Sequence, residues 1–148
     1  MEHAADGESQ PDPGEIWFGK STQKRVLVWI TSTLLPRLAE QGLDTAQPIR
    51  FIDVGCGNAM AIVTLAKKYS DKWEGGWQFV GIDYSQNAIA LAQRVLQQQL
   101  GEQYNTDSQH FKLFVVDFLR DQLPEEAGGP FHVVFDKVFY LFALNCYH

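Results

Sequence analysis

The sequence predicts an α/β fold, a parallel sheet covered by helices on both faces. Four short apolar segments with strand character follow one another along the 148-residue chain: "IRFIDV", "WQFVGID", "FKLFVVDF" and "FHVVFD". Two segments with apolar residues at helical spacing separate the first three. Short apolar strands that alternate with helices are typical of a parallel sheet with covered faces.

A helix is predicted ahead of the first strand. It starts near Thr22, and one face carries an apolar residue every four positions: Val26, Ile30, Leu34 and Leu38. Pro36 should kink or restart this helix, because proline cannot donate a helical hydrogen bond. Gly42 is predicted to end this helix, since glycine commonly follows the last helical residue.

The later elements follow from local signals. A helix in "NAMAIVTLAKKY" comes directly after a glycine turn, and another begins after Ser85 and ends near Gly101. The Ser85 hydroxyl can cap that second helix by accepting a backbone N–H. "LPEEAGGP" is rich in turn-forming residues and leads into the fourth strand.

Composition narrows the class of protein. Hydrophobic residues make up 45% of the chain, as in globular proteins, and the net charge of -6 argues against a nucleic-acid surface. Cys56 and Cys146 form no CxxC pair, so neither a metal site nor a disulfide framework is expected. The sequence shows no signal peptide and no apolar run of about 20 residues for a membrane helix. A cytoplasmic location, or a nuclear one, is the prediction.

Each predicted strand ends in an acid: Asp53, Asp83, Asp117 and Asp136. Ligands of open α/β sheets bind at the carboxyl ends of the strands, so four acids there predict a binding site. The alternative is that these aspartates only cap the following loops. The glycines after the first acid favour a site.

The glycine pattern indicates which ligand the site takes. Gly55 and Gly57 follow the first strand, but Met60 stands where a dinucleotide-binding fingerprint needs its third glycine. Asp53, two residues before Gly55, would repel a pyrophosphate. A ligand with a positive group fits better, and S-adenosylmethionine is one.

The parts of S-adenosylmethionine can be assigned to residues along this edge. Gly55, Gly57 and the neighbouring Asn58 would approach its methionine end, where Asp53 reaches the ammonium directly or through water. Asp83 would accept hydrogen bonds from the ribose hydroxyls.

The adenine end would meet the third predicted strand. Asp117 would accept a hydrogen bond from the adenine amino group. Tyr84 and Phe118 follow two of the acids and could flank the purine, although packing in the core explains them equally well.

Three stretches carry a resemblance to a known family. "FIDVGCGNA", "VGIDYSQNAIALA" and "LFVVDFL" resemble the successive cofactor motifs of the Rossmann-like class I, or seven-strand, S-adenosylmethionine-dependent methyltransferases. More narrowly, "GEIWFGKSTQKRVLVWI" and "FDK" are similar to the lysine methyltransferases of translation elongation factor 1-alpha. The resemblance implies S-adenosylmethionine as cofactor, a lysine of that factor as methyl acceptor, and a monomer.

The resemblance also implies roles outside the cofactor motifs. Asp136 is positioned to orient the lysine amine, and Trp17 and Phe18 would close over cofactor or substrate. For Trp17 and Phe18 the alternative is a hydrophobic staple onto the first helix.

Two departures from the family pattern affect these expectations. Ala59 replaces a third glycine, a change that the turn should tolerate. After "FDK" the chain reads "VFYLFALNCYH" instead of the family's usual continuation. We therefore expect a disordered acidic tail over 1–14, the N-terminal part of the methyltransferase domain over 15–137 and a divergent apolar tail over 138–148.

Such a domain would have about four of the seven strands of the family fold. We therefore expect a truncated methyltransferase, which could self-associate. Three functions remain open at this point: a protein-lysine methyltransferase, a methyltransferase-like protein with little or no catalysis, and a nucleotide-dependent oxidoreductase.

Overall fold

The computed structural model describes residues 20–104 and 110–136. The predicted tails at 1–14 and 138–148, and both Trp17 and Phe18, lie outside these ranges. The helices are α1 (Lys20–Trp29), α2 (Leu35–Glu40), α3 (Met60–Tyr69) and α4 (Gln86–Leu100), and the strands are β1 (Ile49–Val54), β2 (Trp77–Asp83), β3 (Phe111–Val115) and β4 (Val133–Asp136).

The four strands form one parallel sheet in the order β3-β2-β1-β4. Strand β1 is central and pairs with β2 on one side and with β4 on the other, while β3 extends the sheet beyond β2. The predicted α/β class and the parallel sheet are therefore confirmed. All four carboxyl ends lie at one edge of the sheet.

A π-helical segment, Ile30–Leu34, interrupts the predicted first helix between α1 and α2. Here the Leu35 N–H donates to the carbonyl oxygen of Ile30, five residues earlier. Pro36 follows in the first turn of α2. A proline ring clashes with the carbonyl four residues before it, so a regular α-helix could not continue through Pro36. The wider π-helical turn lies at this point of the helix.

The described residues form two core clusters, one on each face of the sheet. The first contains side chains from all four helices, packed on strand residues such as Phe51, Phe79 and Val133. The second contains Ile52 and Val80, and residues of the connection between β3 and β4 cover it. The "LPEEAGGP" connection that covers the second cluster holds only a short 3₁₀ turn, Glu125–Ala127. Within the described ranges, α-helices therefore pack on the first cluster alone.

The segments that lead into β1 and β2 touch closely. A Cβ at Gly75 would overlap the backbone carbonyl of Gln47. The Trp73 indole N–H donates to that same carbonyl oxygen at 2.7 Å, and the Gly75 N–H donates to Thr45 at 2.8 Å. Only glycine fits at position 75, and this contact aligns the starts of both central strands.

Among the described helices, none combines the length and the apolarity required to cross a bilayer.

Candidate functional site

Three of the four predicted acids lie at the ends of strands on the carboxyl edge. Asp53 is the penultimate residue of β1 and only 1% exposed, while Asp83 and Asp136 are the half-buried last residues of β2 and β4. The prediction that Asp117 closes the third strand is wrong by two residues. Strand β3 ends at Val115, because the chain turns at Asp117.

That turn is built by Asp117 itself. Its carboxylate accepts the Leu119 N–H at 3.1 Å and lies 3.7 Å from the guanidinium of Arg120. Its backbone carbonyl accepts the N–H groups of Arg120 and Asp121. Asp117 therefore caps its own loop, as the alternative for the strand-end aspartates predicted.

The glycine turn between β1 and α3 has three residues with positive φ: Gly55 at 70°, Gly57 at 55° and Ala59 at 60°. Glycine adopts this conformation readily, whereas an alanine there costs about 1–2 kcal/mol. Ala59 is fully buried and directly precedes α3. The predicted turn thus forms with alanine at its third position.

Hydrogen bonds fix the turn against the neighbouring strand. The N–H groups of Gly55 and Cys56 both donate to the carbonyl oxygen of Ile82, at 2.8 and 2.9 Å. Asn58 accepts the Met60 N–H at 3.1 Å through its side chain and so shapes the start of α3.

The carboxylate of Asp83 joins the glycine turn to the start of α4. One oxygen accepts the Gly57 N–H at 3.0 Å, and the other accepts the Ser85 N–H at 2.9 Å. The Ser85 hydroxyl in turn accepts the Ala88 N–H at 3.2 Å, which confirms the predicted helix cap. Sequence reasoning missed the contact with Gly57, since nothing local links residues 26 positions apart.

Tyr84 and Phe118 lie on the surface. Their exposed fractions are 80% and 58%, so the alternative that they pack in the core is wrong. Val115 and Leu119, which were not predicted for the site, are also exposed, at 51% and 91%. Val115 pairs in register with Asp83, and the other three residues follow the ends of β2 and β3, so exposed apolar side chains gather at the carboxyl ends of these two neighbouring strands.

Asp136 lies opposite Val54 in the register of β4 with β1, one strand away from the glycine turn. Within residues 20–104 and 110–136, no group of three His, Cys, Asp or Glu side chains is arranged to hold a metal ion.

Residues 47–146 match the family described as "Methyltransferase domain". The chain belongs to this family. Human "EEF1A lysine methyltransferase 2" is 33% identical over 126 residues, which cover 85% of this chain and 42% of the human protein. "Protein-lysine N-methyltransferase efm4" from Schizosaccharomyces pombe is 32% identical over 84 residues, or 57% of this chain and 34% of its own.

The chain therefore spans less than half the length of the curated relatives that it matches. Membership of the methyltransferase-domain family confirms the predicted family and weighs against the oxidoreductase alternative. The match includes the glycine turn and all four strands.

Proposed function

We propose that this chain binds S-adenosylmethionine at the carboxyl edge of its sheet and methylates a lysine of translation elongation factor 1-alpha. The observation that carries the proposal is the glycine turn held on the Asp83 carboxylate, with the exposed ring of Tyr84 beside it. The names of the human and yeast relatives support lysine as the acceptor, and the human name supports the elongation factor.

The residues of the turn fit the methionine end of this cofactor. A Cβ built at Gly55 would meet no atom within 4 Å, so the backbone there borders open space. Asp53 and Asp83 place carboxylates on both strands that flank the turn, which suits a ligand with an ammonium and no phosphate. We assign the ammonium to Asp53 and the methionine backbone to Gly55, Gly57 and Asn58.

Asp83 keeps acceptor capacity for the ribose. Each carboxylate oxygen can accept two hydrogen bonds, and each oxygen of Asp83 accepts one from the backbone. The purine would lie against Tyr84 and Phe118, with Asp117 as acceptor for its amino group. In this assignment the Asp117 carboxylate would accept hydrogen bonds both from the adenine amino group and from the Leu119 N–H of its own turn.

S-adenosylmethionine supplies a methyl group on a sulfonium, which is already a good leaving group. The protein's task is to orient and desolvate the amine. A free lysine has a pKa of about 10.4, and an apolar surface favours its neutral, nucleophilic form. We propose that Asp136 orients the amine and that Trp17 and Phe18 close over the site, in a cytoplasmic or nuclear protein.

Calorimetry with S-adenosylhomocysteine and NAD tests cofactor binding. We expect the first to bind, NAD not to bind, and Asp83→Ala to weaken binding at least tenfold, since a hydrogen bond to a charged group contributes roughly 1.5–3 kcal/mol. Asp71→Ala, at an exposed position before the start of β2, is the matched control. Equal affinity of the Asp83 variant and the wild type would contradict the cofactor assignment.

A second experiment tests transfer. The purified chain is incubated with tritiated S-adenosylmethionine and elongation factor 1-alpha, and the label on the factor is counted. Label that disappears when the target lysine is replaced by arginine supports the proposal. Cofactor binding without any label would contradict the transfer step and leave a cofactor-binding protein without catalysis.

A further inference from the structure

A second polar cluster lies at the opposite, amino-terminal edge of the sheet. Arg50 on β1 pairs in register with Gln78 on β2, and His132 directly precedes β4 beside Arg50. Arg50 and Gln78 occupy even-numbered strand positions and so share the face of Ile52 and Val80, away from the α-helices, and the imidazole of His132 lies beside them at the Arg50 backbone. We call His132, Arg50 and Gln78 the amino-edge row.

His132 is locked to β1 by two hydrogen bonds. The Arg50 N–H donates to Nδ1 of the imidazole at 2.9 Å, and the His132 N–H donates to the Arg50 carbonyl at 2.9 Å. An accepting Nδ1 places the ring proton of the neutral imidazole on Nε2. Burial, and secondly the charge of Arg50, lowers the pKa of His132, so the ring is a neutral Nε2–H donor at physiological pH.

The guanidinium of Arg50 is a cation without a counter-ion in the described part of the chain. Arg50 is half-buried, and its Nε is enclosed without a hydrogen-bond partner. The two ion pairs among the described residues lie elsewhere, at Lys72–Asp71 and Arg120–Asp117. Because the enclosed Nε is out of reach, an external anion would bind the Nη groups, which carry the other N–H donors of the guanidinium.

Among the described residues, the other charged groups near this face form no ion pair with Arg50. Glu125 and Glu126 are exposed on the connection between β3 and β4, and Lys112 donates its Nζ to the backbone carbonyl of Glu126 at 2.7 Å. Two neighbouring strand positions and the residue directly before β4 thus present a guanidinium, an amide and an imidazole N–H, all of which can donate.

We propose that the amino-edge row binds a phosphate group, either as inorganic phosphate or as part of a phosphate monoester. A guanidinium binds two phosphate oxygens in parallel, and we assign the neutral donors of Gln78 and His132 to a third. A carboxylate has only two oxygens and would leave one of the three groups unused. The row lies at the edge opposite the glycine turn, so this site is separate from the one proposed for methyl transfer.

The test follows the carbon-bound imidazole protons by nuclear magnetic resonance. The chain has four histidines, and the signal that His132→Asn removes is assigned to His132. Inorganic phosphate, methyl phosphate and acetate are titrated separately at constant ionic strength, set with chloride. We expect a saturable shift of the His132 signal with phosphate, and weaker binding of acetate.

Variants separate a site from a general ionic effect. Arg50→Met should weaken phosphate binding at least tenfold, whereas Arg94→Met, at an exposed position on α4, should leave it unchanged. Gln78→Leu keeps Arg50 in place and should weaken phosphate binding to a smaller extent. This variant tests the proposal if the Arg50 variant does not fold. Binding of methyl phosphate as tight as that of phosphate would identify a monoester as an acceptable source.

Three results would each overturn the proposal. They are a shift that never saturates, equal phosphate binding by the Arg50→Met and Arg94→Met variants, and acetate binding as tight as phosphate binding.

Discussion

Asp83 should stabilise the protein before any ligand binds. Its two carboxylate oxygens hold two backbone N–H groups, one in the glycine turn and one at the start of α4. In Asp83→Asn one oxygen becomes an amino group, so one N–H loses its acceptor and faces a donor instead. If Asp83 served only the ribose of a cofactor, the ligand-free variant would be as stable as the wild type.

The size of the effect follows from these contacts. A hydrogen bond to a charged group contributes roughly 1.5–3 kcal/mol, and the partial exposure of Asp83 places the expected loss near the lower end. For a chain of this length each kcal/mol corresponds to about 2–4 °C in Tm. Asp83→Asn should therefore lower the Tm of the ligand-free protein by about 3–6 °C.

Circular dichroism during thermal and urea unfolding, without ligand, measures this loss. Asp71→Asn is the matched control, because its carboxylate is exposed and makes only a 4.0 Å ion pair with Lys72. Its Tm should stay within about 1 °C of the wild type, as for most surface changes. A Tm of Asp83→Asn equal to that of the control would show that Asp83 does not hold the turn.

The remaining predictions concern backbone fit and pH. Gly75→Ala should destabilise the protein by several times more than Gly76→Ala in urea titrations, since the first Cβ overlaps a facing backbone carbonyl while the second meets only a positive φ of 74°. Ala59→Gly should change the free energy of unfolding by less than about 1 kcal/mol, because relief of the left-handed strain offsets the lost burial of a methyl group, whereas Ala59→Val should lower it by more than about 2 kcal/mol. Because the pKa of His132 is lowered in the folded state, unfolded chains bind more protons below about pH 6.5, and stability should fall as the pH drops through that range. His132→Asn should remove that part of the pH dependence, and an unchanged slope would contradict this role.

The sequence carried enough information for the elements whose signals are local. The bounds of β1 and β2 agree with the predicted apolar segments, and the Ser85 cap depends on a bond to Ala88, three residues away. The end of β3 was not predictable in this way. Apolar residues continue through Val116, but the turn built by Asp117 ends the strand earlier.

Contacts between distant segments explain what sequence reasoning missed. The bond from Gly57 to Asp83 and the bond from Arg50 to His132 each depend on the register of strands that are far apart in sequence. The exposure of Tyr84 was equally undecided, because an aromatic residue after a buried strand packs inward or outward according to what covers that edge.

The order of strands in the sheet has a consequence for folding. Strand β1 is joined to β2 through α3, and β2 is joined to β3 through α4, so the pairing of these three strands closes short loops. Strand β4 instead returns to β1, and the Arg50–His132 bond closes a separation of 82 residues. Loop-closure entropy rises with length, so β4 should dock last during folding and open first in the native state. Among the four strands that the structure describes, amide hydrogen exchange should accordingly be fastest in β4.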